Sequence, residues 1–532
     1  MGYAHDYATA ILHRGRTPME PVDFVPDWAD GPRKTKHYPG ADALPLPDGG
    51  PWPRGATVAR GLAGGPGGGP GERVAFDRAL LGELLRDSYG LTGRRLGVQA
   101  NTDLDALPFY PLANWSRGTA SGGGLYPVAI YWVSGPSDPA PPGVHHYAPR
   151  HHAMRRLLTG DVTGEVRAAL GEDAPGPVTD QYLVLGIKYW QNAFKYNSFS
   201  FHAVSMDLGA LLGTWRMWLR ARGVEVEPAL WFDEERLARL LGVNAADEGV
   251  FAVVPLPWTG AREPGPAPRR AAVRRRDAER SRRVLSFEAL RAMQEATSAH
   301  AGRRPARGAL ARAAALPPPE GATVALPPPA PLDAGVRGAL RRRRSSFGRF
   351  AAGRPVTGAQ LAAALASAAA GSRLGGDGER AGADGLVKLY AFVNHVEGVA
   401  PGAYAHVPER GALRRIGEGP PGPFLQRSYF LANYNLEQAG AVLVPTVRTH
   451  AVLDAVGDRG YRLVNALIGA VAQATYTASA ALGLGCGVAL GFDNVAYREE
   501  LGLLETDEAP LLIMMIGNER PAPADFRFEI VR

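Results

Sequence analysis

The sequence predicts an α+β fold made of two tandem copies of one domain, and three observations carry that expectation. The apolar stretch FHAVSMDLGALLGTWRMWLRARG from Phe201 returns about 260 positions later as YRLVNALIGAVAQATYTASAALG from Tyr461. The same offset carries Phe232-Asp233 onto Phe492-Asp493, Leu241-Gly242 onto Leu501-Gly502 and Asp247-Glu248 onto Asp507-Glu508, while GVHHYAP at 143–149 faces GAYAHVP at 402–408. A constant spacing over roughly sixty residues marks an internal duplication. Each copy also joins helical patterns to a few short β-branched runs, the mark of an α+β domain.

Residues 1–75 read as a loop-rich extension, with GLAGGPGGGPG at 61–71 a flexible tract. The first copy spans 76–260. AFDRALLGELLRDSYG is a helix, VAIYWVSG and QYLVLGIKYW are buried strands, and FAVVPL at 251–256 is another. Residues 201–222 form a helix too apolar all round for a surface position, so it belongs at the centre. Residues 261–335 are rich in Arg, Ala and Pro and read as a linker with one helix, Ser286–Thr297. The second copy spans 336–532. It holds helices at 358–370 and 461–482 and the strands LYAFVNHV, AVLVPTV and LLIMMIG.

The bulk numbers narrow the function. Hydrophobic residues make 45% and charged residues 21%, as in a soluble protein. No apolar run approaches the ~20 residues of a membrane span and no signal pattern opens the chain, so a cytoplasmic protein is expected. Cys486 is the only cysteine, which excludes intrachain disulfides and a Cys-based metal site. The net charge of +7 suits an acidic peptide or a phosphate-bearing cofactor. No helix-turn-helix, finger or aromatic-basic ladder is present, so no nucleic-acid partner is expected. Histidines 145, 146, 151 and 152 cluster in what reads as a turn, without carboxylate partners, and no metal is expected.

Four motifs carry chemistry, and each survives in only one copy. RRRRSSFGRF at 341–350 lies before the helix starting near Thr357. Its Arg forks and Ser hydroxyls suit a phosphate, and a solvated basic run is the plainer reading. GLGCGVALGFD at 483–493 lets backbone amides approach a flat or anionic ligand, or simply stops a helix before a strand. Copy one has RGVEVEPALWFD there, with Trp231 in place of Gly491. RGTASGGGLYP at 117–127 offers small residues and free amides to a ligand edge, or is an ordinary Gly-rich turn. Copy two has GERAGADGLVK instead. Lys195-Tyr196 enters the first long helix, where copy two has Ala455-Val456. An ammonium beside a phenol stabilises phenolate and makes a proton-transfer pair; a surface Lys next to a packed Tyr is the plainer reading.

Together with TKHYPGADALPLP at 35–47, GVHHYAP and GDRGYR at 457–462, these motifs resemble the nitroreductase-like flavoprotein superfamily, and within it the SagB-type azoline dehydrogenases in the tandem form of thiopeptide biosynthesis. The resemblance covers most of the chain. It implies two nitroreductase-like domains forming an intrachain pseudo-dimer, with FMN at the interface between copies. Copy two would give Arg343, Arg344, Ser345, Arg349, Gly485, Cys486, Gly487, Leu490, Gly491 and Arg520. Copy one would give Ser121, Gly122, Gly123, Gly124, Leu125 and Arg117, with Lys195 and Tyr196 as the catalytic pair. One composite site would survive and its symmetry mate would be dead. The family usually continues its Lys-Tyr pair with Gly and an acid-Arg pair; here Asn197, Ser198 and Phe199 follow.

The activity so implied is FMN-dependent oxidation of peptide azolines, thiazolines first, to azoles, with O2 as final acceptor. Partners would be an azoline-bearing precursor peptide and cyclodehydratase proteins, with a homodimer of pseudo-dimers left open. Two other readings stand beside it: an NAD(P)H-dependent flavin reductase acting on dehydroamino acids or nitro and quinone compounds, and a flavin-free peptide-binding scaffold.

Overall fold

The computed structural model describes residues 2–63, 74–96, 113–267, 271–318, 320–521 and 527–530. Most of the flexible tract expected at 61–71 lies outside them. Two antiparallel sheets flank a pair of central helices. In the first sheet the strands run Ala43–Pro45, Ala153–Thr159, Gly143–Ala148, Val128–Ser134, Gln181–Lys188, Glu248–Pro255. The second repeats that order as Thr323–Ala325, Ala412–Glu418, Gly402–Val407, Lys388–Val393, Ala441–Arg448. There the last strand is split into Glu508–Pro510 and Ile513–Gly517, and Gly485–Ala489 is added at the edge. The register repeats as well: Lys188 pairs with Glu248 and Arg448 with Glu508. Each sheet takes its far edge strand from a segment that reads as extension or linker in the sequence.

The repeated dipeptides have structural reasons. Asp233 and Asp493 are both N-caps: Asp233 accepts from Arg236 N, and Asp493 from Val495 N and Ala496 N. Glu248 and Glu508 are buried carboxylates held by a Tyr and a Lys. Tyr131 donates to Glu248 at 2.6 Å beside Lys36, and Tyr390 donates to Glu508 at 3.0 Å beside Lys388. The QYLVLGIKYW strand stops at Lys188, and Trp190–Tyr196 is already helical. His145 and His146 sit on the strand Gly143–Ala148 rather than in a turn; burial holds both imidazoles well below their ordinary pKa, at about 4 and about 3.

The two central helices, Ser200–Ala221 and Gly460–Ala481, pack on each other about a pseudo-twofold axis. A Cβ on Gly209 would lie 1.9 Å from Ala466 O, and one on Gly469 would lie 1.9 Å from Met206 O. Each glycine meets the same residue of the other copy, so the backbones touch where any side chain would part them. The copies also exchange ends. The N-terminal helix Tyr3–His13 reaches Asp454 and Asp458 of copy two, and the C-terminal strand Arg527–Glu529 pairs with Gly93–Leu96 of copy one.

Candidate active site

The Lys-Tyr pair closes the short helix Trp190–Tyr196, directly before the first central helix. The turn between them needs a backbone that glycine adopts freely: Asn197 has φ 41° and ψ −129°. Asn197 stands in this left-handed region at a cost in strain of about 1–3 kcal/mol. Ties from the N-terminal extension hold the turn: Tyr7 OH donates to Ser198 O at 2.6 Å, and Ser198 Oγ to Glu20 O at 2.5 Å.

The Gly-rich loop of copy one comes against this pair. A Cβ on Gly123, at φ 61°, would lie 2.6 Å from Tyr196 OH and 3.0 Å from Lys195 Nζ. Gly124, at φ 66°, has nothing within 4 Å of its missing Cβ. Asp207 of the first central helix sets the loop, with Ser121 Oγ donating at 2.6 Å and Gly122 N at 2.7 Å. Leu125 is buried beneath it. Arg117 is buried and stacks on Tyr126 (4.0 Å) and Tyr89 (4.7 Å), and its Nη1 has no hydrogen-bond partner among the described residues.

Copy two supplies the opposite wall. Arg343 reaches across to copy one, donating from Nε to Gly118 O at 2.8 Å and from Nη2 to Arg117 O at 3.0 Å. Gln473 of the second central helix accepts from Ala120 N at 2.9 Å and donates to Gly118 O at 3.2 Å. Ser345 bonds Tyr476 OH at 2.9 Å and bridges to Cys486 on the strand Gly485–Ala489. Arg344 pairs with Glu519, and Arg520 donates to Gly348 O at 2.7 Å from Nη2 and to Arg349 O at 2.7 Å from its backbone N–H. Leu490 and Gly491 follow the strand, with Gly491 beside Leu431. Tyr429 OH donates to Asn433 Oδ1 at 2.5 Å; burial first, then Tyr476 and Tyr196, hold its phenol above the ordinary range.

The helix expected near Thr357 is there, Gly358–Gly371 with Thr357 as its N-cap, and the Arg-Ser run precedes it. The run lies at the end of the helix Val336–Arg342, and residues 345–346 continue as extended chain beside Cys486. A Thr357–Gln360 capping box takes up the Gln360 and Thr357 amides at the start of the helix Gly358–Gly371. Gly485 and Gly487 are also small for the protein's sake. Their Cβ atoms would meet Glu519 and Ser346, and the Tyr434 ring at 2.4 Å. Burial pushes the Cys486 thiol up to about 12, which leaves it protonated and unreactive.

Three residues at the site carry no sequence signal. Gln473 and Asp207 sit on helices whose pattern is apolar. Lys34 lies in the extension, its pKa lowered by burial and then by the charges of Arg117 and Lys195. Burial raises Asp207 to about 7, against the bonds from Ser121 and Gly122. The folded state therefore holds this proton more tightly than the unfolded chain. The group's contribution to stability is whole below about pH 4 and falls as pH rises to about 7, by at most about 4 kcal/mol. Asp207→Asn is expected to lack that slope; equal changes of urea midpoint in both proteins between pH 4.5 and 8 would contradict it.

The symmetry-related place is filled. Arg216 stands where Tyr476 stands in the other copy and pairs with Glu379 at 2.8 Å. Asp377 accepts from Leu230 N and Trp231 N, and a Cβ on Gly376 would lie 1.8 Å from Pro228 O. Trp231 is fully buried. Among the described residues no cluster of three or more His, Cys, Asp or Glu could hold a metal, and no helix is long and apolar enough to cross a membrane.

Two sheets around paired central helices, with residues of both copies meeting at one place, define a two-copy α+β fold. A profile described as the Nitroreductase family matches residues 393–518. A protein of Methanocaldococcus jannaschii named as a nitroreductase is 33% identical over 139 residues, which are 26% of this chain and 68% of that protein. The chain belongs to the nitroreductase family. The crystal structure of a chain from Anabaena variabilis, assigned as a nitroreductase, has the same fold over both copies. It covers 98% of this chain and 100% of its own, with 22% identity and a TM-score of 0.70. A chain of the Escherichia coli microcin synthetase McbBCD complex, solved with truncated pro-MccB17 bound, matches 34% of this chain and 70% of its own. Its 17% identity and TM-score of 0.28 are too slight to build on.

Proposed function

We propose that this chain is an FMN-dependent dehydrogenase that oxidises peptide azolines, thiazolines first, to azoles. The observation that carries it is the convergence at Tyr196, with Lys195 beside it and Gly123 against its hydroxyl, next to a loop that Arg343 and Gln473 of the other copy hold. Family members generally bind FMN. The donor set suits it: among the described residues Arg117 Nη1 and Ser346 Oγ are buried without partners, and Gly124 leaves open space. Arg344, Arg349, Ser345 and Arg520 would hold the phosphate. The Ser121–Leu125 loop, Cys486–Gly487 and Leu490–Gly491 would line the ring.

In this reading Tyr196 and Lys195 take the proton from the ring carbon derived from Cα, and the Lys195 ammonium steadies the phenolate that relays it. FMN, when bound, supplies a two-electron acceptor for the hydride of the neighbouring ring CH2, with O2 reduced to hydrogen peroxide as final acceptor. Aromatisation drives the step. The azoline-bearing precursor peptide and its cyclodehydratase would be partners of a cytoplasmic enzyme. The division into 1–75, 76–260, 261–335 and 336–532 then separates the segment that ties the catalytic turn, the half that carries the pair, the connection, and the half that carries the phosphate.

Released-flavin absorbance against protein concentration tests the composite site, and oxygen uptake with a thiazoline peptide tests the reaction. About one FMN per chain and NADPH-independent oxidation are expected. Two FMN per chain would mean that the Arg216–Glu379 plug opens. A colourless protein would favour the scaffold reading, and rapid bleaching by NADPH without thiazoline oxidation would favour the reductase.

A further inference from the structure

The first central helix begins with an irregularity that falls directly behind the candidate pair. In an uninterrupted helix the His202 N–H would donate to Ser198 O, four residues back. Here the hydroxyl of Tyr7 stands between them: it accepts from His202 N at 3.4 Å and donates to Ser198 O at 2.6 Å. A side chain set into the helical ladder bends the chain that leads into it. That chain is the turn of Asn197, Ser198 and Phe199, which joins Lys195 and Tyr196 to the helix.

The turn does not hold its shape by itself. Asn197 sits at φ 41° and ψ −129°, and its own side chain makes only long bonds. Its Nδ2 donates to Pro21 O at 3.5 Å and its Oδ1 accepts from Phe199 N at 3.4 Å. A residue other than glycine keeps such a backbone only where its surroundings over-determine it. Glu20 takes the Ser198 hydroxyl, whereas Tyr7 holds backbone on both sides of the bend. Tyr7 is itself fixed from the opposite copy. Its helix, Tyr3–His13, is seated on copy two, with His5 on Asp454 at 2.9 Å and Ala4 N on Asp458 at 3.3 Å. Its buried ring meets Tyr461 of copy two edge-on at 5.4 Å and Phe201 of copy one at 6.3 Å. The hydroxyl thus carries the position of copy two to the turn of copy one.

We propose that Tyr7 is a positioning residue that sets Lys195 and Tyr196 against the half that would hold the flavin. The proposal rests on the reading of that pair as the proton-transferring groups. Without the hydroxyl, His202 N and Ser198 O are free to close the ordinary helical bond, and the strain at Asn197 is relieved as the turn straightens. Tyr196 then leaves Gly123, while Asp207 and Gln473 still hold the Gly-rich loop. Asn197→Gly lets the native turn form without strain, and so makes it independent of Tyr7.

Tyr7→Phe, Asn197→Gly and the double variant are compared as full-length, flavin-loaded proteins. Tyr7→Phe keeps the ring and is expected to lower kcat for a thiazoline peptide about 10- to 100-fold, with KM and flavin content close to wild type. Adding Asn197→Gly should return most of the lost kcat, which a general weakening of the helix Tyr3–His13 would not allow. Thr9→Ala, on the same helix, should leave kcat unchanged. A wild-type kcat in Tyr7→Phe, or an equal loss with and without Asn197→Gly, overturns the proposal. Urea midpoints read the same cycle without turnover. Asn197→Gly should raise the midpoint more in the wild type than in Tyr7→Phe, where the turn has already relaxed, and equal shifts in the two backgrounds overturn the proposal as well. Midpoints that couple in a chain that oxidises no thiazoline keep Tyr7 in its role and sink the azoline reading. Thiazoline oxidation that Tyr7→Phe leaves untouched does the reverse.

Discussion

Tyr196→Phe is expected to lower thiazoline oxidation by about 10²–10⁴-fold while flavin stays bound at the wild-type level. The substitution removes one oxygen and keeps the ring, and the ring's contacts with Phe199 and Lys195 remain. Nothing in the fold depends on that hydroxyl, since the turn is held from Tyr7, Glu20 and Pro21 instead. Stability should therefore stay within about 0.5 kcal/mol of wild type, as for substitutions outside the core. Lys195→Ala should lose a comparable factor, because the phenolate then has no adjacent ammonium, and Lys195→Arg should recover part of the loss by keeping the charge. Turnover of single-ring and peptide substrates should fall together. Wild-type turnover by both Tyr196→Phe and Lys195→Ala would remove the pair from the reaction.

Much of the fold was legible because it depends on patterns that repeat. The apolar runs, the Phe-Asp cap and the buried Asp-Glu carboxylate recur at one offset, so each copy vouches for the other. What escaped was held by contacts between segments far apart in sequence. Arg343 reads as one more arginine in a phosphate run, yet its guanidinium is spent on the carbonyls of Arg117 and Gly118. Asp207 and Gln473 are single polar residues in apolar helices, and only the packing of the copies shows that they hold opposite parts of one loop. The extension looked like a loop because its order comes from what it touches: its short strand leans on Ala153–Thr159, and Glu20 and Pro21 lean on the catalytic turn. Gly485 and Gly487 show the reverse error. Glycine suggested close ligand approach, and the neighbours that demand it are Ser346, Glu519 and Tyr434.

The dependence of one site on two copies also sets the largest expected stability effect, at Glu234. Its carboxylate is 3% exposed and accepts from Arg459 Nη1 at 2.7 Å and Arg462 Nη1 at 2.9 Å, both on or beside the second central helix. Gln294 Nε2 and Val250 N fill its remaining positions. Burial alone would raise this carboxyl; Arg462 and Arg459 hold it below its ordinary range. Its contribution is thus present above about pH 4.5 and is lost as pH falls through the lowered folded value. Glu234→Ala leaves the two buried guanidinium groups of Arg459 and Arg462 without the carboxylate they share, a loss of about 3–5 kcal/mol. The loss falls between the copies, since Glu234 belongs to copy one and both arginines to copy two. The thermal transition should then split, with the contact between copies failing first. Flavin should leave at that first step, although Glu234 does not line the candidate site, because neither copy alone carries both walls. Thermal unfolding followed by circular dichroism, with flavin fluorescence recorded in parallel, reads both effects. Glu234→Gln, which keeps an acceptor but no charge, should fall between the two. A Glu234→Ala protein with the wild-type midpoint and its flavin retained through the first transition would show that the copies do not depend on this clamp.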